Sequence, residues 1–135
     1  MIQGKPIIPG RAQGEVLTSS EPLSFWGGYD HRSGEIIDRR HPLSGQIAAG
    51  RVLAIPFTRG SSTTTAVLLE AVRAGTAPVA ILTTGVDSFF ALASIVADEL
   101  YRRPIPIVML APEDFAALCT GDRVAIEENG VIERL

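Results

Sequence analysis

The sequence predicts an α/β fold of three-layer β/β/α character, with a partly parallel central sheet and a C-terminal β-hairpin. Three observations carry that expectation. Between residues 51 and 110, apolar runs and helical patterns alternate as strand, helix, strand, helix, strand, which calls for parallel pairing and right-handed crossovers. Residues 2–18 and 123–135 are β-rich and supply a second layer at the two ends of the chain. At 135 residues, 46% apolar and 20% charged, the chain is long enough to bury one core, and no repeat or linker divides it. It therefore reads as a single domain over 1–135.

Residues 2–9 (IQGKPIIP) form the first expected strand and residues 14–18 the second, around a turn at Pro9-Gly10. The texture then changes. From 21 to 50 the chain is rich in Gly, Pro, Ser and charge, and only 35–37 resembles a strand; ordered loops of this length are often functional. Phe25, Trp26 and Tyr29 lie beside Gly27-Gly28, and such aromatics either pin a loop to the body or cover a partner surface. The second reading is preferred. Residues 51–57 (RVLAIPF) are apolar enough for a strand buried on both faces.

A helix is expected over 63–74, with Val67, Leu68, Ala71 and Val72 on one stripe and Gly75 as its C′ stop. "APVAILTTG" is the next buried strand. Asp87 or Ser88 can cap a second helix ending near Leu100, with Phe89, Leu92, Ala93 and Val96 at helical spacing. "RRPIPIVML" restarts as a third strand whose prolines mark a beginning or an edge. "PEDFAAL" is a short helix with Pro112 at a favoured first position. Residues 123–127 and 131–135 form a hairpin, for which Asn129-Gly130 signals a type I′ turn.

Composition excludes several function classes. A formal charge of −3 gives no reason to expect nucleic acid or an anionic membrane as partner. No apolar run approaches the roughly 20 residues of a membrane span, and the N-terminus has no secretory pattern, so the expected location is the cytoplasm. Cys119 is the only cysteine, which forbids a disulfide framework or an internal thiolate site; it reads as a small buried position at a helix end. His31 and His41 share one loop without metal-ligand spacing and read as solvated or backbone-bonded. Asp30, Asp38, Arg39 and Arg40 read mainly as a charged loop facing another subunit, the alternative being that one of them reaches a substrate. Lys5 is the only lysine, which reflects either codon usage or a use for arginine's planar fork on carboxylate or phosphate.

The stretch with chemistry in it is "PFTRGSSTTTAVLLEAVRAG", residues 56–75. Five hydroxyl residues, Ser61 to Thr65, follow Arg59 and Gly60 between an apolar strand and a helix. Capping explains one or two hydroxyls, not five. The site lies at the C-terminal edge of a strand, where open α/β sheets bind ligands, and the first helix amides attract an anion. Gly60 admits close backbone approach, Arg59 can clamp a carboxylate, and Ser61 and Ser62 can hold that carboxylate or take a proton from the molecule carrying it. The stretch lacks the lysine of a P-loop and the neighbouring histidine of a nucleophile elbow.

"SFWGGYD", "IIDRRHPLSG", "RGSSTTTAVLLE" and "GTAPVAIL" together resemble the swivelling domain of the aconitase X family, and the similarity runs over nearly the whole chain. The resemblance implies dehydration of a hydroxy acid, with cis-3-hydroxy-L-proline dehydratase and phosphomevalonate dehydratase as the family's activities; the loop from 27 to 45 looks more like the former. In the family this domain is fused to a large domain or made as a small subunit, and a 135-residue chain is expected to be the small subunit. The resemblance further implies that the large subunit, not this chain, brings an iron–sulfur cluster or iron. It implies Ser61, after Gly60, as the base, with Arg59, Gly60, Ser62, Thr63 and Thr65 binding substrate. Family members often carry a glycine and a second serine where Thr64 and Thr65 stand, which leaves the roles of Ser61, Ser62 and Thr65 to be divided.

Two rival readings belong to other classes. A phosphocarrier swivelling domain shares this architecture but needs a histidine in the loop, and residues 56–66 contain none. A non-catalytic module could hold an anion at the helix start with the same residues.

Overall fold

The structure is a computed structural model that describes residues 1–59 and 63–135. Its frame is an eight-stranded sheet in the order β1-β10-β9-β3-β6-β7-β8-β2. The strands are β1 (Ile2–Gln3), β2 (Lys5–Ile8), β3 (Ala12–Thr18), β6 (Val52–Ala54), β7 (Ala80–Thr83), β8 (Ile107–Met109), β9 (Arg123–Ile126) and β10 (Val131–Arg134). Helices α1 (Thr63–Ala74) and α2 (Ser88–Tyr101) cross over between β6, β7 and β8, which pair in parallel. A short helix α3 (Pro112–Ala116) precedes β9, and the segment after β3 folds into a two-stranded hairpin, β4 (Tyr29–Asp30) with β5 (Glu35–Ile36).

β3 joins the two layers. Its first half pairs antiparallel with β9 (Ala12 opposite Ile126), and its second half pairs parallel with β6 (Val16 opposite Val52). Because strand side chains alternate, the parallel strands feed two cores. Leu17, Leu53, Ile81 and Ile107 face the helices together with Leu68, Phe90 and Ala97. Val16, Val52, Ala80, Leu82 and Val108 face the antiparallel layer with Phe115, Val124 and Ile132. That is the β/β/α stack the sequence predicts.

Several elements differ from expectation. The expected strand over 2–9 is two strands at opposite ends of the sheet order, broken at Gly4. The sheet thereby curls until its two edges meet at one glycine, making it nearly a barrel. Gly4 donates its N–H to the Gly130 carbonyl at 2.9 Å, and a Cβ on Gly4 would collide with Val108 and Leu110. The C-terminal turn is not type I′. Gly130 N–H bonds the Glu127 carbonyl and Gly130 alone has positive φ (+86°), so the turn is type I closed by a left-handed glycine.

On α2 the buried stripe is Phe90, Ala93, Ser94 and Ala97, one position along from the expected one, and Leu92 is exposed. The small residues let the helix lie close, and the Ser94 hydroxyl is satisfied by donating to the Ile105 carbonyl (2.7 Å) and accepting from the Ile105 N–H (2.8 Å). The strand expected over 102–110 is confined to Ile107–Met109, because Pro104 and Pro106 lack the N–H a ladder needs. Cys119 is exposed rather than buried, since Leu118 takes the inward position beside it.

The segment from 21 to 50 is tied down over much of its length. Phe25 is fully buried, stacks on Tyr29 at 4.9 Å and meets Phe90 edge-on at 5.4 Å. Tyr29 is buried and donates to the Thr76 carbonyl at 2.7 Å. These two aromatics pin the loop, contrary to the expected partner-facing role; Trp26, 70% exposed, is the one that faces outward. Leu23, Ile36, Leu43 and Ala48 join the same core.

Candidate active site at the edge of the parallel strands

The chain leaving β6 stays clamped between its neighbours well past the end of the strand. Ile55 N–H bonds the Leu82 carbonyl (3.1 Å) and Thr84 N–H the Pro56 carbonyl (3.2 Å) on the β7 side. On the β3 side, Leu23 bridges Thr58 in parallel and Arg59 N–H bonds the Leu23 carbonyl at 3.1 Å. The chain is thus bonded to both neighbours as far as Arg59.

Asp87 completes the clamp. Its side chain is 9% exposed, yet the carboxylate has four donors around it. One oxygen accepts from the Thr58 N–H (2.8 Å) and hydroxyl (2.7 Å), and the other from the Phe89 and Phe90 N–H groups (3.0 and 3.2 Å). The second pair is the expected N-cap of α2. The first pair went unread in the sequence, because nothing in it relates position 58 to position 87. Beside this tie, Phe57 and Val86 stand 52% and 67% exposed.

Arg59 also borders a polar groove of about 440 Å³, whose other walls are Glu21, Pro22, Ser24, Asp38, Arg40 and His41. His41 joins two of those walls. Its Nδ1 accepts from the Leu43 N–H (3.1 Å), which leaves Nε2 carrying the proton towards the Glu21 carbonyl at 3.2 Å. His41 is buried and backbone-bonded, as expected of it. A groove of about 480 Å³ at the other end of the molecule is lined largely by prolines and aliphatic residues, Pro9, Val72, Ala77 and Ile105 among them. It lies at the N-terminal ends of the parallel strands, the side on which open α/β sheets do not bind their ligands.

Of the residues singled out in the sequence, Gly60, Ser61 and Ser62 lie outside the described residues. Arg59 is exposed at the groove, and Thr63 is exposed as the first residue of α1. Thr64, the second residue of that helix, is buried. Thr65 is half-buried and donates its hydroxyl to the Phe89 carbonyl at 3.2 Å, docking α1 on the start of α2. Asp30 holds a local turn by accepting from the Arg32 N–H at 2.8 Å, and that bond keeps its carboxyl below the usual range. Among the described residues no group of three or more His, Cys, Asp or Glu could hold a metal ion, and Cys119 stands alone. The described residues therefore do not fit an iron–sulfur cluster.

A nearly closed β/β/α stack with a charged groove at one edge is the fold of a swivelling domain. The chain belongs to the aconitase X swivel domain family, whose sequence profile it matches over residues 1–134. It is 51% identical over 110 residues to a cis-3-hydroxy-L-proline dehydratase of Pseudomonas aeruginosa, covering 82% of this chain but 19% of that protein. It is 33% identical to a phosphomevalonate dehydratase small subunit of Methanosarcina acetivorans, covering 98% of this chain and 89% of that one. The crystal structure of Thermococcus kodakaraensis aconitase X in its holo form superposes with a TM-score of 0.88 at 32% identity, over 99% of this chain and 97% of that chain. The chain thus spans about a fifth of the hydroxyproline dehydratase and nearly all of the small subunit.

Proposed function

We propose that this chain is the swivelling small subunit of a cytoplasmic aconitase-X-type hydro-lyase that dehydrates cis-3-hydroxy-L-proline together with a large subunit. The observation that carries the reading is the 51% identity to a protein of that name, against 33% to the small subunit named for phosphomevalonate. The edge geometry supports it: the clamp at Thr58 holds the chain up to Arg59, and α1 begins at Thr63. Exposed Phe57, Val86 and Trp26 supply apolar surface for a large subunit to cover. No described helix is long and apolar enough to cross a membrane.

In this reading Ser61 is the base. Its oxygen takes the proton from the carbon next to the one bearing the hydroxyl, and the released electron pair becomes the new double bond as the hydroxyl departs. A serine must reach the alkoxide state to do so, and the α1 amides and the Arg59 guanidinium stabilise that charge. Arg59, Gly60, Ser62, Thr63 and Thr65 hold the substrate. The iron–sulfur cluster or iron belongs to the large subunit. The phosphocarrier reading is weakened because both ring nitrogens of His41 already have backbone partners.

The test is co-expression with the large subunit and assay of cis-3-hydroxy-L-proline and mevalonate 5-phosphate with wild type and Ser61→Ala. Turnover of hydroxyproline, lost by at least about a hundredfold in Ser61→Ala, is expected. Turnover of the phosphate ester alone transfers the assignment to the phosphomevalonate enzymes. Undiminished turnover in Ser61→Ala moves the base to Ser62 or Thr65. Binding without turnover by the intact complex favours the non-catalytic module. The isolated chain is expected to be inactive.

A further inference from the structure

We infer that the groove beside Arg59 is a zwitterion-selective subsite, in which Arg40 joins Arg59 on the substrate carboxylate while Asp38 and Glu21 receive its cationic nitrogen. The inference rests on the reading that this edge binds a small hydroxy acid, and it adds residues outside the 59–65 stretch and a rule for which acid is accepted.

The groove is built from three chain segments that specific bonds hold together. His41, 6% exposed, ties the 38–41 wall to Glu21 through its Nε2–H. Arg59 N–H ties the third wall to Leu23. Arg40 N–H bonds the Asp38 carboxylate at 3.0 Å, closing a local turn that sets the two side chains on one wall.

Its charges are not paired with one another. Two guanidiniums and two carboxylates line one groove, yet among the described residues none of the four has an ion-pair partner. Opposite charges sharing a groove without pairing are available to a molecule carrying both signs. An arginine fork matches a carboxylate through paired N–H donors, and a carboxylate accepts from a protonated amine. The balance of two positive and two negative groups also works against a substrate with a phosphate in addition to a carboxylate, since its extra negative charge would face Asp38 and Glu21. The subsite therefore selects an imino or amino acid over a phosphorylated acid.

The test uses the complex of this chain with its large subunit, and calorimetric binding of L-proline and of (S)-tetrahydrofuran-2-carboxylate, in which a ring oxygen replaces the cationic nitrogen. Wild type is expected to bind L-proline at least about tenfold more tightly, the scale of one charged hydrogen bond. Asp38→Asn with Glu21→Gln should bring the two ligands to within about twofold, and Arg40→Gln should weaken both by about tenfold alike. Equal binding in wild type, failure of L-proline to bind, or discrimination that survives Asp38→Asn with Glu21→Gln overturns the subsite. Turnover is read separately: a complex that discriminates but dehydrates neither hydroxy acid removes the proposed reaction and leaves the subsite, and turnover without discrimination does the reverse.

Discussion

Removing the Asp87 carboxylate should unfasten the edge that carries the proposed site. Asp87→Ala deletes four bonds at once, two to Thr58 and two to the first amides of α2. Loss of the cap costs about 1 kcal/mol. Thr58 is 6% exposed, so its N–H and hydroxyl are left without partners away from water, a further cost of about 1–3 kcal/mol. The sum is about 3 kcal/mol. Unfolding entropy of about 2.1 cal/mol/K per residue makes that a fall in Tm of about 10 °C for a chain of this length. Asp87→Ser keeps a capping oxygen and should recover about 1 kcal/mol of the loss. Thr58→Val should cost about 1 kcal/mol alone and almost nothing on top of Asp87→Ala, because the two side chains act as one unit. Thermal denaturation of the four variants decides it. A Tm change below about 3 °C in Asp87→Ala, or additive losses in the double variant, would refute the clamp.

Other outcomes follow from the same structure. Gly4→Ala places a methyl group against Val108 and Leu110 at the seam and should lower stability by about 1–3 kcal/mol in urea denaturation. Phe25→Ala empties the ring position between Tyr29 and Phe90 and should cost about 3–5 kcal/mol by the same assay, with loss of protease resistance in the 21–50 segment. Tyr29 gives a pH signature: burial raises its pKa above the ordinary 10.0, so the unfolded chain gives up this proton first as pH rises. Its contribution is whole below about pH 10 and declines above it, by up to about 1.4 kcal/mol per pH unit. Wild type should therefore lose stability above pH 10 faster than Tyr29→Phe, and parallel curves would show that the phenol is not buried in solution.

What could be read along the chain, and what could not, divides by the range of the interactions. The helix over 63–74 and its Gly75 stop, the Asp87 cap and the C-terminal hairpin were legible because each depends on residues within a few positions of one another. The double burial of β6 and β7 was legible from unbroken apolar runs. Asn129-Gly130 misled on turn type, since the type I turn it occupies needs only the glycine left-handed, and the Gly4 carbonyl lies against that glycine. The stripe of α2 shifted by one position because close approach favoured Ala93, Ser94 and Ala97 over the larger Leu92.

The sequence alone determined the order of the central strands and helices, the two-sided apolar strands and the placing of Thr63–Thr65 at the start of a helix that follows a strand. Those follow from periodicity and capping, which act over a turn of helix or a pair of strands. Only the tertiary structure decided that Phe25 and Tyr29 turn inward, that Asp87 grips Thr58, and that residues from 21, 38–41 and 59 share one groove. The Asp87–Thr58 bond spans 29 positions and the His41–Glu21 bond spans 20, and neither leaves a periodic trace in the chain. Such contacts form because the β3–β6–β7 ladder brings three loops to the same edge, and buried donors and acceptors arriving there must pair with whatever stands opposite.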